Sequence, residues 1–252
     1  MNPYAWTWNG EALVLVPFLA VAYALAVRIY PASRARMAAF ALALGLMLAV
    51  FATPVQTIAL HYLLTAHLLQ NVVMAEWAAA LIVLAVPATL AGVLGRAPAL
   101  RTLTRPAIAL PLWLGTYFAW HVPRAYDFAL DHPVTVLHLE HLSYLVAGIA
   151  LWWPVLQDIP HRLTNGAKAA YVFAAFVLGS PLGLLLALLP SAVYRTYRDG
   201  PGLWGLGPLS DQQLAGLTMA GEQAVVFFAV FAVFFLRFLR EEEARGTTLS
   251  RS

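Results

Sequence analysis

The stretch VTVLHLEHLSYLVAGIALWWPVL at residues 134–156 decides the fold, because Glu140 is its only Asp, Glu, Lys or Arg. A helix of about 20 apolar residues is long enough to cross the hydrocarbon core of a bilayer. His138 and His141 lie near the start of this stretch, whereas Arg162 and Lys168 follow its end. The sequence therefore predicts a transmembrane helix whose two ends differ in chemistry.

Six further stretches have the same apolar character. Of the 252 residues, 62% are hydrophobic and only 11% are charged, and the mean hydropathy is +0.74. Soluble domains are about a quarter charged. The stretches are continuous and do not alternate as barrel strands do. We predict one all-α integral membrane domain over residues 1–252, a seven-transmembrane-helix bundle with spans at about 11–29, 37–53, 63–92, 107–122, 134–156, 167–190 and 212–238.

The basic residues lie mainly in alternate connections between these spans. One set of connections holds Arg28, Arg34, Arg36, Arg96, Arg101, Arg105, Arg162, Lys168, Arg237, Arg240, Arg245 and Arg251. The other set holds only Arg124, Arg195 and Arg198. Cytoplasmic loops carry an excess of Lys and Arg. We therefore predict a multi-pass protein of the bacterial inner (plasma) membrane, with the N-terminus outside and the C-terminus cytoplasmic.

The composition also excludes several kinds of site and partner. The chain contains no cysteine, so thiolate metal sites, iron–sulfur clusters and disulfides are ruled out. The net charge is +3, but the basic residues mark the ends of spans and form no patch interleaved with stacking aromatics. The expected partner is therefore the lipid bilayer, and no nucleic acid is expected.

Six of the seven histidines lie on the predicted outer side. His67 shares one helical face with Asn71 and Met74, since residues three or four apart are neighbours on a helix. His138 and His141 share a face of another helix, and His121 ends a third. We expect these side chains to converge on one outer-leaflet pocket. The candidate metal ligands are His67, His121, His138, His141 and Met74.

Imidazole binds copper, zinc and haem iron, and a thioether suits Cu(I). We predict copper as the cofactor, with haem b as the alternative. A structural interpretation stays open beside these, because a histidine in a membrane protein is often an interfacial side chain or an interhelical hydrogen-bond partner.

Carboxylates also occur at or near membrane depth. Glu76 and Glu222 lie nearer the midplane than the histidines, where charge is costly and a function is the default hypothesis. Alternatively they are protonated, or paired with Gln223, Tyr or Thr groups that pack the helices. Asp211 is predicted to be the N-cap of the last helix. Glu140 is expected to point away from His138 and His141.

Four stretches carry a family resemblance: AHLLQN (66–71), WHVPRAYDFAL (120–130), HLEHLSYLVAGIALWWPVL (138–156) and DQQLAGLTMAG (211–221). Together they resemble the multi-spanning CtaG-like proteins associated with assembly of caa-type cytochrome c oxidases. The resemblance implies a role in oxidase biogenesis, with copper delivery and an oxidase subunit as partner.

The match can be followed residue by residue. His67, His121, His138 and His141 match family histidines. Asn71 stands where the family commonly has a second histidine, and AGEQ (220–223) replaces a segment that usually contains Trp and Pro. The chain therefore resembles a divergent member.

Three functions follow from these patterns. The leading one is a non-enzymatic assembly factor that binds copper at an outer His/Met site and hands it to the oxidase. The second is a single-haem b-type membrane cytochrome. The third is a proton-coupled transporter that uses Glu76 and Glu222.

Overall fold

The computed structural model describes residues 2–249, and every regular element in that range is a helix. In chain order the helices are α1 (Glu11–Ile29), α2 (Arg34–Phe51), α3 (Pro54–His61), α4 (Leu64–Ala85), α5 (Ala88–Leu94), α6 (Pro98–Leu103), α7 (Pro106–Trp120), α8 (Pro123–Asp131), α9 (Val136–Leu156), α10 (Asn165–Leu188), α11 (Arg195–Arg198) and α12 (Pro208–Leu249). The prediction of an all-helical protein is confirmed.

Within the described range, six helices are long and apolar enough to cross a membrane: α1, α2, α4, α9, α10 and α12. The fourth predicted span forms α7, which has 15 residues. That is shorter than the roughly 20 residues that a span usually needs. The chain is therefore a multi-pass helical membrane protein, and a count of seven spans depends on α7.

Proline determines where the predicted third span ends. The sequence predicts a span to about residue 92, whereas α4 ends at Ala85 and Val86 is extended. The residue before a proline is disfavoured in the helical region, and Pro87 follows Val86 directly. The short helices α3 and α8 lie in connections where no helix was predicted. Pro54 and Pro123 occupy their first turns, where a missing N–H is tolerated.

Helices α4 and α9 form the centre of the bundle. Two thirds of each span is buried, compared with about a tenth of α1. Gly148 of α9 lies against the backbone of α4, and a Cβ at this position would be 2.1 Å from the carbonyl oxygen of Ala75. Small residues allow such close approach between membrane helices. This contact fixes the spacing of the two helices that carry His67, Asn71, Glu140 and His141.

A second close contact joins α10 and α12. A Cβ on Gly216 would lie 2.4 Å from the carbonyl oxygen of Gly183. With α12 held in this position, Gln223 reaches α4 and α7 through its side-chain amide.

Asp211 has a different role from the predicted one. It lies inside the first turn of α12, and its carboxylate accepts hydrogen bonds from the backbone N–H groups of Leu64, at 2.6 Å, and Thr65, at 3.1 Å. The Thr65 hydroxyl also lies 2.7 Å from Asp211 Oδ1. The prediction that Asp211 caps its own helix is wrong. It caps the N-terminus of α4, where a negative charge is favourable.

Candidate metal centre

Polar side chains from α4, from α9 and from the residue after α7 are buried together at the His67 end of α4. His67 and Asn71 lie one turn apart on α4, and Glu140 and His141 are adjacent on α9. His121 follows the last residue of α7. His67, Asn71, His121, Glu140 and His141 are at most 5% exposed, and we call these five residues the histidine cluster. Tyr126 of α8 and Tyr197 of α11 contact the cluster.

The Nδ1 atoms of the three cluster histidines all have close partners. His121 Nδ1 is 2.7 Å from the carbonyl oxygen of Tyr117, and His141 Nδ1 is 2.7 Å from Glu11 Oε1. A carbonyl or carboxylate oxygen can only accept a hydrogen bond. Nδ1 of His121 and of His141 therefore carries the hydrogen.

Nδ1 of His67 also carries the hydrogen, and its acceptor is a hydroxyl group. His67 Nδ1 lies 2.8 Å from the Oη of Tyr197, which donates its hydrogen to the carbonyl oxygen of Ala59 at 2.6 Å. Burial raises the pKa of Tyr197 well above its usual value, so the phenol keeps its proton. With that proton directed to Ala59, Tyr197 accepts from His67 Nδ1.

The opposite ring nitrogens have no hydrogen-bond partner among the described residues. Nε2 of His67, of His121 and of His141 is buried and makes no hydrogen bond within the described residues. In each ring Nε2 bears a lone pair, because the hydrogen is on Nδ1. Buried polar atoms usually have a partner, so three orphaned acceptors in one cluster call for an explanation.

The rings of His67 and His141 lie close together, and the Tyr126 ring contacts both His67 and His121. The centroids of His67 and His141 are 6.0 Å apart, and the Tyr126 ring is 4.9 Å from His67 and 6.0 Å from His121. Glu140 Oε1 is 3.7 Å from His67 Nε2 and accepts from the Asn71 amide at 3.1 Å. The structure thus brings three of the four predicted histidines, and Asn71, into one buried cluster.

His138 lies beside this cluster and not within it. Its Nδ1 is 2.7 Å from Glu11 Oε1, the same oxygen that contacts His141, and its side chain is 33% exposed. In the described part of the chain, Glu11, His138 and His141 are the one group of three metal-ligating side chains whose ligand atoms all lie within 4.8 Å of one another. At 2.7 Å these contacts are hydrogen bonds.

Met74 lies three residues beyond Asn71 on α4 and is fully buried. It lies inside the π-helical segment Val73–Ala78. No sulfur hydrogen bond to a cluster histidine occurs among the described residues. The interpretation of Met74 as a soft ligand stays a prediction.

Glu76 and Glu222 form a separate group deeper in the bundle. The Gln223 amide donates to Glu76 Oε1 at 2.9 Å and contacts the Tyr117 hydroxyl at 2.8 Å. The indole N–H of Trp77 donates to Glu222 Oε1. These contacts agree with the alternative interpretation, in which the glutamates pair with Gln223 and a Tyr group that pack the helices.

Sequence reasoning missed three contributors to the histidine cluster. Glu11 was not singled out, although it is an acidic residue at the outer start of an apolar span. Glu140 was expected to point away from His138 and His141, but it contacts His67 and Asn71 in the cluster that also contains His141. Tyr197 carries no signal in the sequence, because its contact with His67 spans 130 positions.

Most of the chain matches a known protein family. Residues 18–241 match the family described as cytochrome c oxidase caa3 assembly factor (Caa3_CtaG). The chain belongs to this family. The Caa3_CtaG match includes every residue of the histidine cluster, whereas Glu11 precedes it.

Curated relatives of another kind match a smaller part of the chain. The 4-hydroxybenzoate octaprenyltransferases of Coxiella burnetii strains Dugway 5J108-111 and RSA 493 / Nine Mile phase I are each 27% identical over 89 residues. That segment is 34% of this chain and 29% of each relative, so the chain spans less than a third of those proteins. No solved structure shows significant similarity to the chain.

Proposed function

We propose that this Caa3_CtaG protein supports cytochrome c oxidase assembly as a non-enzymatic factor that binds copper in the histidine cluster. The observation that carries the proposal is the set of three buried Nε2 atoms, on His67, His121 and His141, that make no hydrogen bond within the described residues. Copper is the cargo, and an oxidase subunit is the partner that the family membership favours.

The donor set suits copper chemically. Imidazole nitrogen is a good ligand for copper and zinc, and three such donors satisfy Cu(I) without a thiolate. Asn71 stands where the family commonly has an imidazole, but its amide is engaged with Glu140 and is a poor ligand for a soft ion. The three histidines are therefore the proposed copper ligands. Met74 is a further soft donor on α4, the helix of His67.

The outer shell of the cluster resembles that of metal sites in general. A ligating histidine usually donates its second ring N–H to a carboxylate, carbonyl or other acceptor, which fixes the ring and its tautomer. Glu11, the Tyr117 carbonyl and Tyr197 serve as these acceptors. This arrangement fixes the ring tautomers, so that each Nε2 bears the lone pair. Among the described residues the three ligand nitrogens are not all within 4.8 Å of one another, so the side chains must move together around one ion.

We further propose that α7 crosses the membrane, which gives seven spans with the N-terminus outside in a bacterial plasma membrane. Just before α7, the carbonyl of Arg101 lies 2.7 Å from His161, beyond the end of α9. At its other end α7 delivers His121 to the cluster that contains His141, near the start of α9. Helices α7 and α9 therefore run between the same two layers, and the basic residues favour the cytoplasm for the Arg101 side.

Reporter fusions test this topology. A reporter active only in the cytoplasm is expected to work after Arg245 and to fail between residues 199 and 207. The reverse pattern, or activity at both positions, contradicts the seven-span arrangement.

The copper proposal is tested with purified protein in detergent. Anaerobic Cu(I) titration should give one ion per chain, and His67→Ala, His121→Ala or His141→Ala should each weaken binding at least tenfold. His161→Ala, at the other side of the bundle, is the matched control and should bind like the wild type. A Soret band in the protein as isolated would instead identify the haem b alternative, and the same three variants would then remove that band.

The role in oxidase assembly is tested in a host strain from which the gene for this protein has been deleted. Oxidase activity should fall in cells that carry the three histidine variants and recover with the wild type or His161→Ala. Unchanged oxidase activity in all three variants would contradict a role of the cluster in assembly.

A further inference from the structure

The side chains around Glu76 and Glu222 have no part in the proposed copper site. Glu76 lies in the π-helical segment Val73–Ala78 of α4, and single π-turns of this kind occur frequently at functional sites. Its side chain is fully buried, and Oε2 makes no hydrogen bond to any donor within the described residues. Oε2 of Glu222, on the facing helix α12, is likewise buried without a donor.

The two carboxyl groups lie close together between α4 and α12. Gln223, the neighbour of Glu222, donates to Glu76 Oε1, and Trp77, the neighbour of Glu76, donates to Glu222 Oε1. Two ionised carboxylates at this distance repel each other, and in a low-dielectric interior they do not both stay charged. The geometry is therefore that of a carboxyl pair which shares one proton.

The surrounding groups provide no counter-charge. The side chains that face the pair are Trp77 from α4, Gln223 from α12 and Tyr117 from α7, and all are neutral at ordinary pH. No Lys, Arg or His forms an ion pair with either glutamate in the described part of the chain. An intramembrane carboxylate without a partner is costly, which favours a bound proton.

A metal cation is a poorer occupant of this position. Hard cations such as Na⁺ or Ca²⁺ need several oxygen ligands. Here Oε1 of each glutamate is engaged by an N–H group, and the nearest polar neighbours, the Trp77 indole and the Gln223 amide, present hydrogens. Only the two Oε2 atoms are left, which is enough for a proton but not for a coordination shell.

We propose that Glu76 and Glu222 form a proton-binding site inside the membrane that holds one exchangeable proton between their Oε2 atoms. The site shares Tyr117 with the histidine cluster, because the Tyr117 hydroxyl contacts Gln223 while the Tyr117 carbonyl accepts from His121. The proposal does not depend on copper binding.

Infrared spectroscopy of the wild-type protein in lipid tests the site directly. We expect the carbonyl stretch of a protonated carboxylic acid at neutral pH, shifted in D₂O because the proton exchanges. The band should disappear in the double variant Glu76→Gln/Glu222→Gln. Glu140→Gln is the matched control, since Glu140 is a buried carboxyl beside imidazoles, and it should keep the band. Absence of the band from the wild type, or its survival in the double variant, would overturn the proposal.

Chemical labelling gives a second measurement that does not depend on how the variants fold. A hydrophobic carbodiimide reacts with protonated carboxyl groups in membranes, so mass spectrometry of the labelled wild type should find the adduct on Glu76 or Glu222. Addition of Na⁺ or K⁺ should leave the labelling unchanged. Protection by either ion would show a cation site and contradict the proton site, as would a wild type that is not labelled at either residue.

Discussion

The hydroxyl of Tyr197 accepts a hydrogen bond from His67 Nδ1 while it donates its own hydrogen to the carbonyl of Ala59. This relationship determines which nitrogen of His67 bears the lone pair, although Tyr197 itself is not a metal donor. It joins α11, in the connection after α10, to the first turn of α4. The availability of an intramembrane nitrogen therefore depends on a residue outside the spans.

Tyr197→Phe tests this role. Loss of the hydroxyl removes the acceptor that orients the His67 ring and fixes its tautomer. Changes to such supporting groups typically lower metal affinity by about 10–100-fold. Cu(I) titration measures the effect. Tyr194→Phe is the matched control, because the Tyr194 hydroxyl is equally buried but donates to the backbone carbonyl of His121 at 3.0 Å. Equal affinities of the two variants would argue against tautomer control by Tyr197.

Glu11→Gln tests the carboxylate that anchors His141. One Glu11 oxygen accepts from both His138 and His141, and a neutral amide accepts more weakly. We expect copper affinity to fall about tenfold or more. His138→Ala separates the two histidines: it should keep one copper per chain with a smaller loss of affinity, whereas His141→Ala should remove binding. If His138→Ala alone abolished binding, His138 would be a ligand and the three-histidine site would be wrong.

Gly148→Ala tests the contact that sets the spacing of α4 and α9. The added methyl would lie 2.1 Å from the Ala75 carbonyl oxygen, so the helices must separate. Overpacking of this kind costs roughly 1–3 kcal/mol. Thermal unfolding in detergent should show a lower midpoint, with weaker copper binding. Gly115→Ala is the control, since a Cβ there meets nothing within 4 Å, and it should unfold like the wild type.

Asp211→Ala tests the capping of one helix by another. Loss of a capping side chain typically costs about 1 kcal/mol, and the N–H groups of Leu64 and Thr65 would lose their acceptor. The unfolding midpoint should fall, and Asp211→Asn should recover part of the loss. Asp199→Ala is the control, since Asp199 is an exposed acid in the connection before α12, and it is expected to have no effect. A midpoint unchanged in Asp211→Ala would show that water replaces the cap.

Local sequence patterns predicted the helical class and the approximate position of the spans, because apolar length and charge are properties of the chain itself. Spacing also placed His67 and Asn71 on one face of α4, where both are buried. The position of Glu11 beside His141 was not predictable, since it depends on how α1 packs across 130 positions of sequence. The role of Asp211 was assigned to the wrong helix for a similar reason. Its sequence position before an apolar run resembles an N-cap, but the tertiary fold brings the start of α4 to it.

X-ray absorption spectroscopy of the copper-loaded protein is the most direct test of the central claim, that His67, His121 and His141 bind copper through Nε2. We predict one copper per chain with a first shell of imidazole nitrogens, which is lost when all three histidines are replaced by alanine and retained in His161→Ala. A chain that binds no stoichiometric copper, or a first shell that is unchanged in the triple variant, would contradict the account.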